Sequence, residues 1–251
     1  MNEWRLLAIK EDRGAMQMAI DEAILIARYK GHVPNTLRFY TWKPAAVTIG
    51  YFQSLALEVD VLNAENHGIE IVRRYTGGGA VFHDMEITYS LVMPESEAPG
   101  SIAESYKAIC KGVVLGLRSL GIVSEFKPIN DIVARGRKIS GSAQTRRNGI
   151  ILQHGTLLLD TDLNKMFSVL KVPDEKFRDK MIRCAAERVT SVRAELNRLV
   201  SASDAAEHLA SGFEQALGMR LLHGELTEDE FLEAEKLCVD KYANEKWTGI
   251  R

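Results

Sequence analysis

The chain has 251 residues, 46% of them hydrophobic and 26% charged, with a formal net charge of −2. That length supports one large domain or two small ones around a sizeable core, and the near-neutral balance argues against nucleic acid or an anionic membrane as the main partner. Three cysteines, far apart and without C-x-x-C spacing, indicate neither a disulfide framework nor a zinc site and fit a reducing, cytoplasmic setting; no stretch reaches the length of a signal peptide or membrane span.

In chain order, Met1 to Ile9 reads as a strand, and Gly14 to Arg28 as a helix with Met16, Ile20, Ala23, Ile24 and Ala27 at helical spacing. Asp21 and Glu22 fall near its middle and are expected to be solvated or to bond a neighbouring loop. Pro34 and Asn35 break the chain before a short strand, Thr36 to Tyr40; Lys43-Pro44 then turns it into Ala46 to Gly50, and these two strands are expected to be antiparallel neighbours. The loop Gly50 to Gln53 could present an aromatic ring and an amide to a pocket. Asp60 to His67 reads as a short helix with Gly68 as its C-cap.

Next comes the densest stretch. Ile69 to Val72 and Ile87 to Met93 are apolar strands, and between them stand Arg73, Arg74, three consecutive glycines and His83. Glycines weaken strands, so Gly77, Gly78 and Gly79 suit a tight turn or the close approach of a ligand to the backbone, and the arginines suggest an anion. A plain glycine hairpin is the structural alternative.

Ser101 with Glu104 forms a capping box for a helix whose apolar positions are Ile102, Tyr106, Ile109, Val113, Leu117 and Leu120. Cys110 beside that stripe reads as a buried, inert thiol. Strands return at Asp131 to Ala134, Lys138 to Ser142 and Ile150 to Leu159, with turns at Arg135-Gly136 and Asn148-Gly149. They carry polar groups that strands do not need: Asn130, Asp131, Lys138, Ser140, Gln144 and His154. Helices are expected at Asp162 to Leu170, Asp174 to Ala186, Ser203 to Leu217 and, behind a capping box at Thr227 and Glu230, on to about Tyr242. The whole is an α+β chain with mixed or antiparallel sheets flanked by helices, residues 1–251 forming a single domain.

These parts allow a chemistry. Glycines and arginines could hold phosphates, Lys138 could lie across a developing negative charge, and Asn130 with Asp131 could hold Mg²⁺. No P-loop or dinucleotide fingerprint is present.

RRYTGGGAVFHD at Arg73 to Asp84, Asn130-Asp131, GRKISGSAQ at Gly136 to Gln144 and HGTLLLD at His154 to Asp160 together resemble the lipoate–protein ligase A family, within the wider group of biotin and lipoate protein ligases. LRFYTWKPAAVTIGYFQ at Leu37 to Gln53 and ERVTSV at Glu187 to Val192 extend the likeness over nearly the whole chain. The resemblance implies a cytoplasmic, ATP-dependent ligase that makes lipoyl-AMP from lipoate and ATP with Mg²⁺, then passes the lipoyl group to a lysine of an acceptor lipoyl domain, on a 2-oxoacid dehydrogenase E2 subunit or the glycine cleavage H protein. Lys138 would be catalytic, bridging the lipoyl carbonyl and the phosphate. Arg73, Tyr75, Gly77, Gly78, Gly79, Val81, His83, Asn130, Asp131, Gly141, Ser142, His154 and Thr156 would bind substrate or adenylate, with Asp131 also on the metal.

Longer members of the family carry a small C-terminal accessory domain that this chain lacks, which implies a separate small subunit in its place. Related octanoyltransferases and lipoyl amidotransferases need no ATP and hold the acyl group as a thioester on a cysteine near the lysine motif. Between Val123 and His154 there is no cysteine, so the ligase is the expected member, with the cysteine-dependent transferase as the alternative and Cys184 its remaining thiol. A non-catalytic lipoyl-binding subunit is a second alternative.

Overall fold

Alternating or wholly apolar strands build one large sheet with helices on both faces and a small second sheet beside it. A computed structural model describes residues 2–171 and 178–251. Its strands are β1 (Asn2–Asp12), β2 (Thr36–Trp42), β3 (Ala46–Ile49), β4 (Glu70–Arg73), β5 (Val81–His83), β6 (Glu86–Pro94), β7 (Ser124–Lys127), β8 (Asp131–Ala134), β9 (Arg137–Arg147), β10 (Ile150–Leu158) and β11 (Met219–Gly224). Its helices are α1 (Gly14–Tyr29), α2 (Leu55–Glu58), α3 (Val61–Asn66), α4 (Ile102–Ser119), α5 (Leu163–Val169), α6 (Arg178–Arg188), α7 (Val192–Leu196), α8 (Ala202–Leu217), α9 (Glu228–Leu237) and α10 (Glu245–Thr248).

Eight strands form a mixed sheet in the order β11-β1-β2-β6-β10-β9-β8-β7, and three form a small one in the order β4-β3-β5. The fold is therefore α+β, with mixed sheets flanked by helices. Both capping boxes form, at Ser101 with Glu104 and at Thr227 with Glu230. The hairpin between β9 and β10 turns on Asn148 and Gly149, both at positive φ as a two-residue turn of the primed type requires.

Three expectations change. β2 and β3 are not neighbours: β2 lies between β1 and β6 of the large sheet, whereas β3 is the centre of the small one. All four residues of β3 are buried, and a strand buried on both faces takes an interior position. The glycine stretch is no simple hairpin either. β4 runs parallel to β3 and β5 antiparallel to it, and only after a turn at Met85 does the chain enter the large sheet as β6. Asp21 and Glu22 are buried in ion pairs rather than solvated, Asp21 with Arg38 and Glu22 with Lys241. Of the helix expected over Asp174 to Ala186, the first residues lie outside the described residues, and α6 is described from Arg178.

One face of the large sheet packs under α4 and α8 through Phe39, Tyr89, Leu91, Ile109, Val113 and Phe213. The two helices cross where Gly112, Gly116 and Gly212 meet backbone to backbone. The other face packs against α1 and α9 through Tyr40, Trp42, Val92, Ile24 and Ala234. A third apolar cluster, Val47, Ile49, Val59, Phe82 and Val169, lies under the small sheet. Between the two sheets, on the α1 side, the chain leaves a cavity.

Candidate active site

Cross-strand register sets the cavity floor. Gly141 of β9 pairs with Thr156 of β10, Thr156 with Thr88 of β6, and Thr88 with Tyr40 of β2, so four side-chain positions form one row on one face. Three inter-strand steps span about 14 Å at ~4.8 Å each. The row ends at Tyr40 and Trp42, and the Trp42 ring stacks on His83 at 3.9 Å. Over it lie Gly78, Gly79, Val81 and Phe82, with Leu158, Met166, Leu170 and Val189 closing one side. The volume is about 290 Å³ and the lining is mostly apolar.

Lys138 reaches this floor through an irregularity in β9. Ile132 of β8 pairs with Ser140 and Val133 with Lys138, so Ile139 is an extra residue in the strand. Strict alternation would send Lys138 and Gly141 to opposite faces; the bulge puts them on the same one. Lys138 Nζ then sits 2.7 Å from Asp131 Oδ1. A methyl group on Gly141 would lie 2.9 Å from the Lys138 Cε and Nζ atoms, so this glycine is the space the lysine occupies. Asn130 donates from Nδ2 to the Ser142 carbonyl at 2.6 Å and ties the start of β8 to β9.

Arg74, buried in the cavity wall, organises the roof. Its Nη2 donates to the carbonyls of Gly77 and Gly79, both at 2.7 Å, which shapes the glycine loop. Its Nε donates to Thr76 Oγ1 and its Nη1 to Thr48 Oγ1. Each threonine then bonds a histidine: Thr76 Oγ1 to His154 Nε2 at 2.7 Å, Thr48 Oγ1 to His83 Nε2 at 2.9 Å. Each histidine is backed by a carboxylate, His154 Nδ1 by Asp21 at 3.1 Å and His83 Nδ1 by Glu86 at 3.0 Å.

The donor pattern assigns the hydrogens. An ionised carboxylate can only accept, so each histidine donates from Nδ1, and in a neutral ring Nε2 is then the acceptor of the threonine hydroxyl. Burial holds the His83 imidazolium form down, consistent with the neutral ring. Burial alone would raise Asp21, but Arg38 and His154 outweigh it and hold the carboxyl below its usual range. Burial also lowers Arg74 to about 10. Both histidine Nε2 atoms are thus engaged in positioning the roof.

Of the residues expected at a site, Gly78, Gly79, Val81, His83, Asn130, Lys138, Gly141, Ser142, His154 and Thr156 line this cavity. Arg73, Tyr75, Gly77 and Asp131 do not. Arg73 points the other way and donates to the carbonyls of Gly50, Tyr51, Gln53, Trp247 and Thr248, because successive strand residues face opposite sides. Tyr75 lies under the Lys241 ammonium at 4.1 Å. Gly77 gives its carbonyl to Arg74. Asp131 stands behind Lys138 rather than in a metal cluster: among the described residues no group of three or more His, Cys, Asp or Glu side chains converges as one. Thr48, Thr76 and Val189 were not expected; their roles depend on contacts distant in sequence.

The cysteines lie elsewhere. Cys110 contacts Ser142 Oγ at 3.6 Å among the side chains of the α4 face, across the sheet from the cavity, and burial pushes its thiol up to about 11. Cys238 is buried and accepts from Arg13, and Cys184 is half-buried on α6. Among the described residues no cysteine lines the cavity.

Residues 13–214 match the lipoyl protein ligase A/B catalytic domain family. The chain is 43% identical to the octanoyltransferase LipM of Kyrpidia tusciae, covering 98% of both chains. It is 40% identical to the octanoyltransferase LipM of Symbiobacterium thermophilum, covering 97% of both. Among solved structures it resembles a bi-partite lipoate protein ligase from Thermoplasma acidophilum, with TM-score 0.90, 35% identity and 100% and 98% coverage. It also resembles a lipoate-protein ligase A bound with ATP, with TM-score 0.86, 33% identity and 99% and 100% coverage. Full-length relatives at these identities that are named octanoyltransferases overturn the expectation of an ATP-dependent lipoate–protein ligase, and with it ATP and Mg²⁺ as cofactors. The octanoyltransferase alternative is the one carried forward.

Proposed function

Since the chain belongs to the lipoyl protein ligase A/B catalytic domain family, we propose that it is an octanoyltransferase that moves the acyl group of an octanoyl thioester to a lysine of a lipoyl acceptor domain. The observation that carries this reading is the mostly apolar cavity over the row from Gly141 to Tyr40, with Lys138 at its β9 end. An extended eight-carbon chain fits along the row, and its carbonyl then lies beside Lys138. The acceptor amine attacks that carbon, the C–N bond forms, the C–S bond breaks, and the thiolate leaves with the electron pair and takes up the proton the amine gives off. Lys138 would donate to the carbonyl oxygen as negative charge gathers on it, held in place by Asp131. Gly78 and Gly79 would let the acyl chain approach closely, with Val81, His83, His154 and Thr156 as walls and Asn130 keeping β8 and β9 in register.

The alternative's covalent relay would need a thiol, and Cys184 is the candidate because α6 leads into Val189 of the cavity wall, whose neighbour Thr190 donates from its amide to the Lys138 carbonyl at 2.8 Å. Acceptors would be lipoyl domains of 2-oxoacid dehydrogenase E2 subunits or the glycine cleavage H protein. Among the described residues no helix is long and apolar enough to cross a membrane, and we infer action in the cytoplasm.

The test incubates the protein with an octanoyl thioester carrier and a lipoyl domain without nucleotide, and weighs the acceptor. Octanoyl mass should appear, and Lys138→Ala should slow its appearance by roughly a hundredfold or more, as loss of an oxyanion donor does. Transfer that requires a nucleotide and free acid sinks the proposal. Cys184→Ser separates routes: retained transfer assigns direct attack, and lost transfer assigns the relay.

A further inference from the structure

Arg73 is fully buried and its charge is met by backbone alone. Nη1 donates to Gly50, Tyr51 and Gln53 at 3.0, 3.1 and 2.7 Å, and Nε and Nη2 donate to Trp247 and Thr248. Trp247 returns the bond, its indole N–H donating to the Arg73 carbonyl at 2.8 Å. The end of the chain adds a second tie: the Leu55 amide donates to the Arg251 carbonyl at 3.0 Å, and the Arg251 guanidinium lies over the Phe52 ring. Residues 244–251 are therefore fastened to the 50–55 loop at two points.

That loop touches the cavity roof. The Tyr51 amide donates to the Thr76 carbonyl at 2.9 Å, and Gly50 approaches the Gly78 carbonyl so closely that any side chain there would overlap it. Gly78 lines the cavity at a φ of +95°. A path of contacts thus runs from Trp247 through Arg73 and the 50–53 loop to Gly78.

We propose that Arg73 and Trp247 are positioning residues: the C-terminal segment 244–251 acts as a strap that holds the glycine loop in its acyl-binding shape. The two adjacent arginines divide the task, Arg74 fixing the loop from inside the cavity and Arg73 from outside it. A charged donor held by several neutral carbonyls is a strong tie whose loss leaves the carbonyls unpaired.

Hydrogen exchange of the full chain without ligand tests the strap directly. In Trp247→Ala, the Tyr51 and Gln53 amides should exchange roughly tenfold faster while those of α4 keep their rates. Trp247→Phe, which keeps the ring but loses the donor, should give a smaller change in the same direction. Octanoate should bind Trp247→Ala roughly tenfold more weakly than the parent, which is the response that simple loss of packing far from the cavity does not produce. Unchanged exchange at Tyr51 and Gln53 overturns the proposal, as does faster exchange with unaltered octanoate affinity. If the α4 amides also speed up, a chain ending at Gly249 decides: it removes the Arg251 ties and the Ile250 amide's bond to the Trp247 carbonyl, and undisturbed loop amides there count against the strap. The affinity arm rests on the proposed function, whereas the exchange arm does not. Octanoate that fails to bind the parent would refute that function and leave the exchange result standing.

Discussion

Arg73 and Arg74 stand side by side in the sequence, and both were expected to meet an anion. In the fold both meet backbone carbonyls, on opposite sides of one strand end. An arginine pair beside glycines suggests charge recognition, but the fork geometry that suits phosphate suits a cluster of carbonyls equally well. The lysine motif was more legible, because Lys138, Gly141 and the turn residues around them form a local pattern. What the pattern did not reveal is the bulge at Ile139 that places lysine and glycine on the same face. The consequence is testable at a single atom. Gly141→Ala puts a methyl 2.9 Å from the lysine's Cε and Nζ, with backbone angles that alanine tolerates, so the lysine must swing off Asp131. Transfer should slow by about tenfold to a hundredfold, a range expected when a charge-stabilising donor is misplaced. Thermal unfolding should barely change, since Lys138 is 43% exposed. A variant as fast as the parent would show that the Lys138 position in contact with Asp131 is not the working one.

Element boundaries follow from local chemistry, and most were readable. The capping boxes, the Asn148-Gly149 turn and the apolar stripe of α4 formed as the sequence indicated. Which sheet each strand joins was not readable for β2 through β6, because that choice rests on burial of both faces of β3 and not on any turn signal. The α4–α8 crossing was hidden for a similar reason. Gly112 and Gly116 sit inside a strong helical pattern, where propensity alone counts them as weak points. Their purpose appears only when Gly212 of α8 meets them: a methyl there would overlap the Gly112 carbonyl and the Gly116 amide. Backbone cannot rotate away as a side chain can, so Gly212→Ala should part the helices and cost about 2–3 kcal/mol, in the range of core overpacking. Because this crossing lies across the sheet from the cavity, folded Gly212→Ala should transfer octanoyl at the parental rate. Urea titration with an activity assay on the same sample checks both halves, and an unchanged midpoint would mean the crossing has room to spare.

For the molecule as a whole, the cavity is a seam between two sheets with separate apolar cores, joined across it by Arg74 and its threonine–histidine arms. A seam lined mostly by apolar atoms is stabilised when something apolar fills it. Octanoate bound only by the folded chain should therefore raise the unfolding free energy by mass action, about 2.7 kcal/mol at a hundredfold excess over its dissociation constant. For a chain of this size that corresponds to a rise of about 5–10 °C in Tm. Lys138→Ala should keep most of the shift, because the floor from Gly141 to Tyr40 and the walls at Val81, Phe82 and Leu158 hold the tail whether or not the lysine is present. Binding retained with transfer lost would assign Lys138 to the chemical step. A shift abolished by Lys138→Ala would instead mean that the carboxylate end carries the affinity, and the cavity would have to be read as an anion site with an apolar lining. Butyrate should give a much smaller shift than octanoate, since it fills only the β9 end of the row; equal shifts would show that the seam does not take the chain along its length.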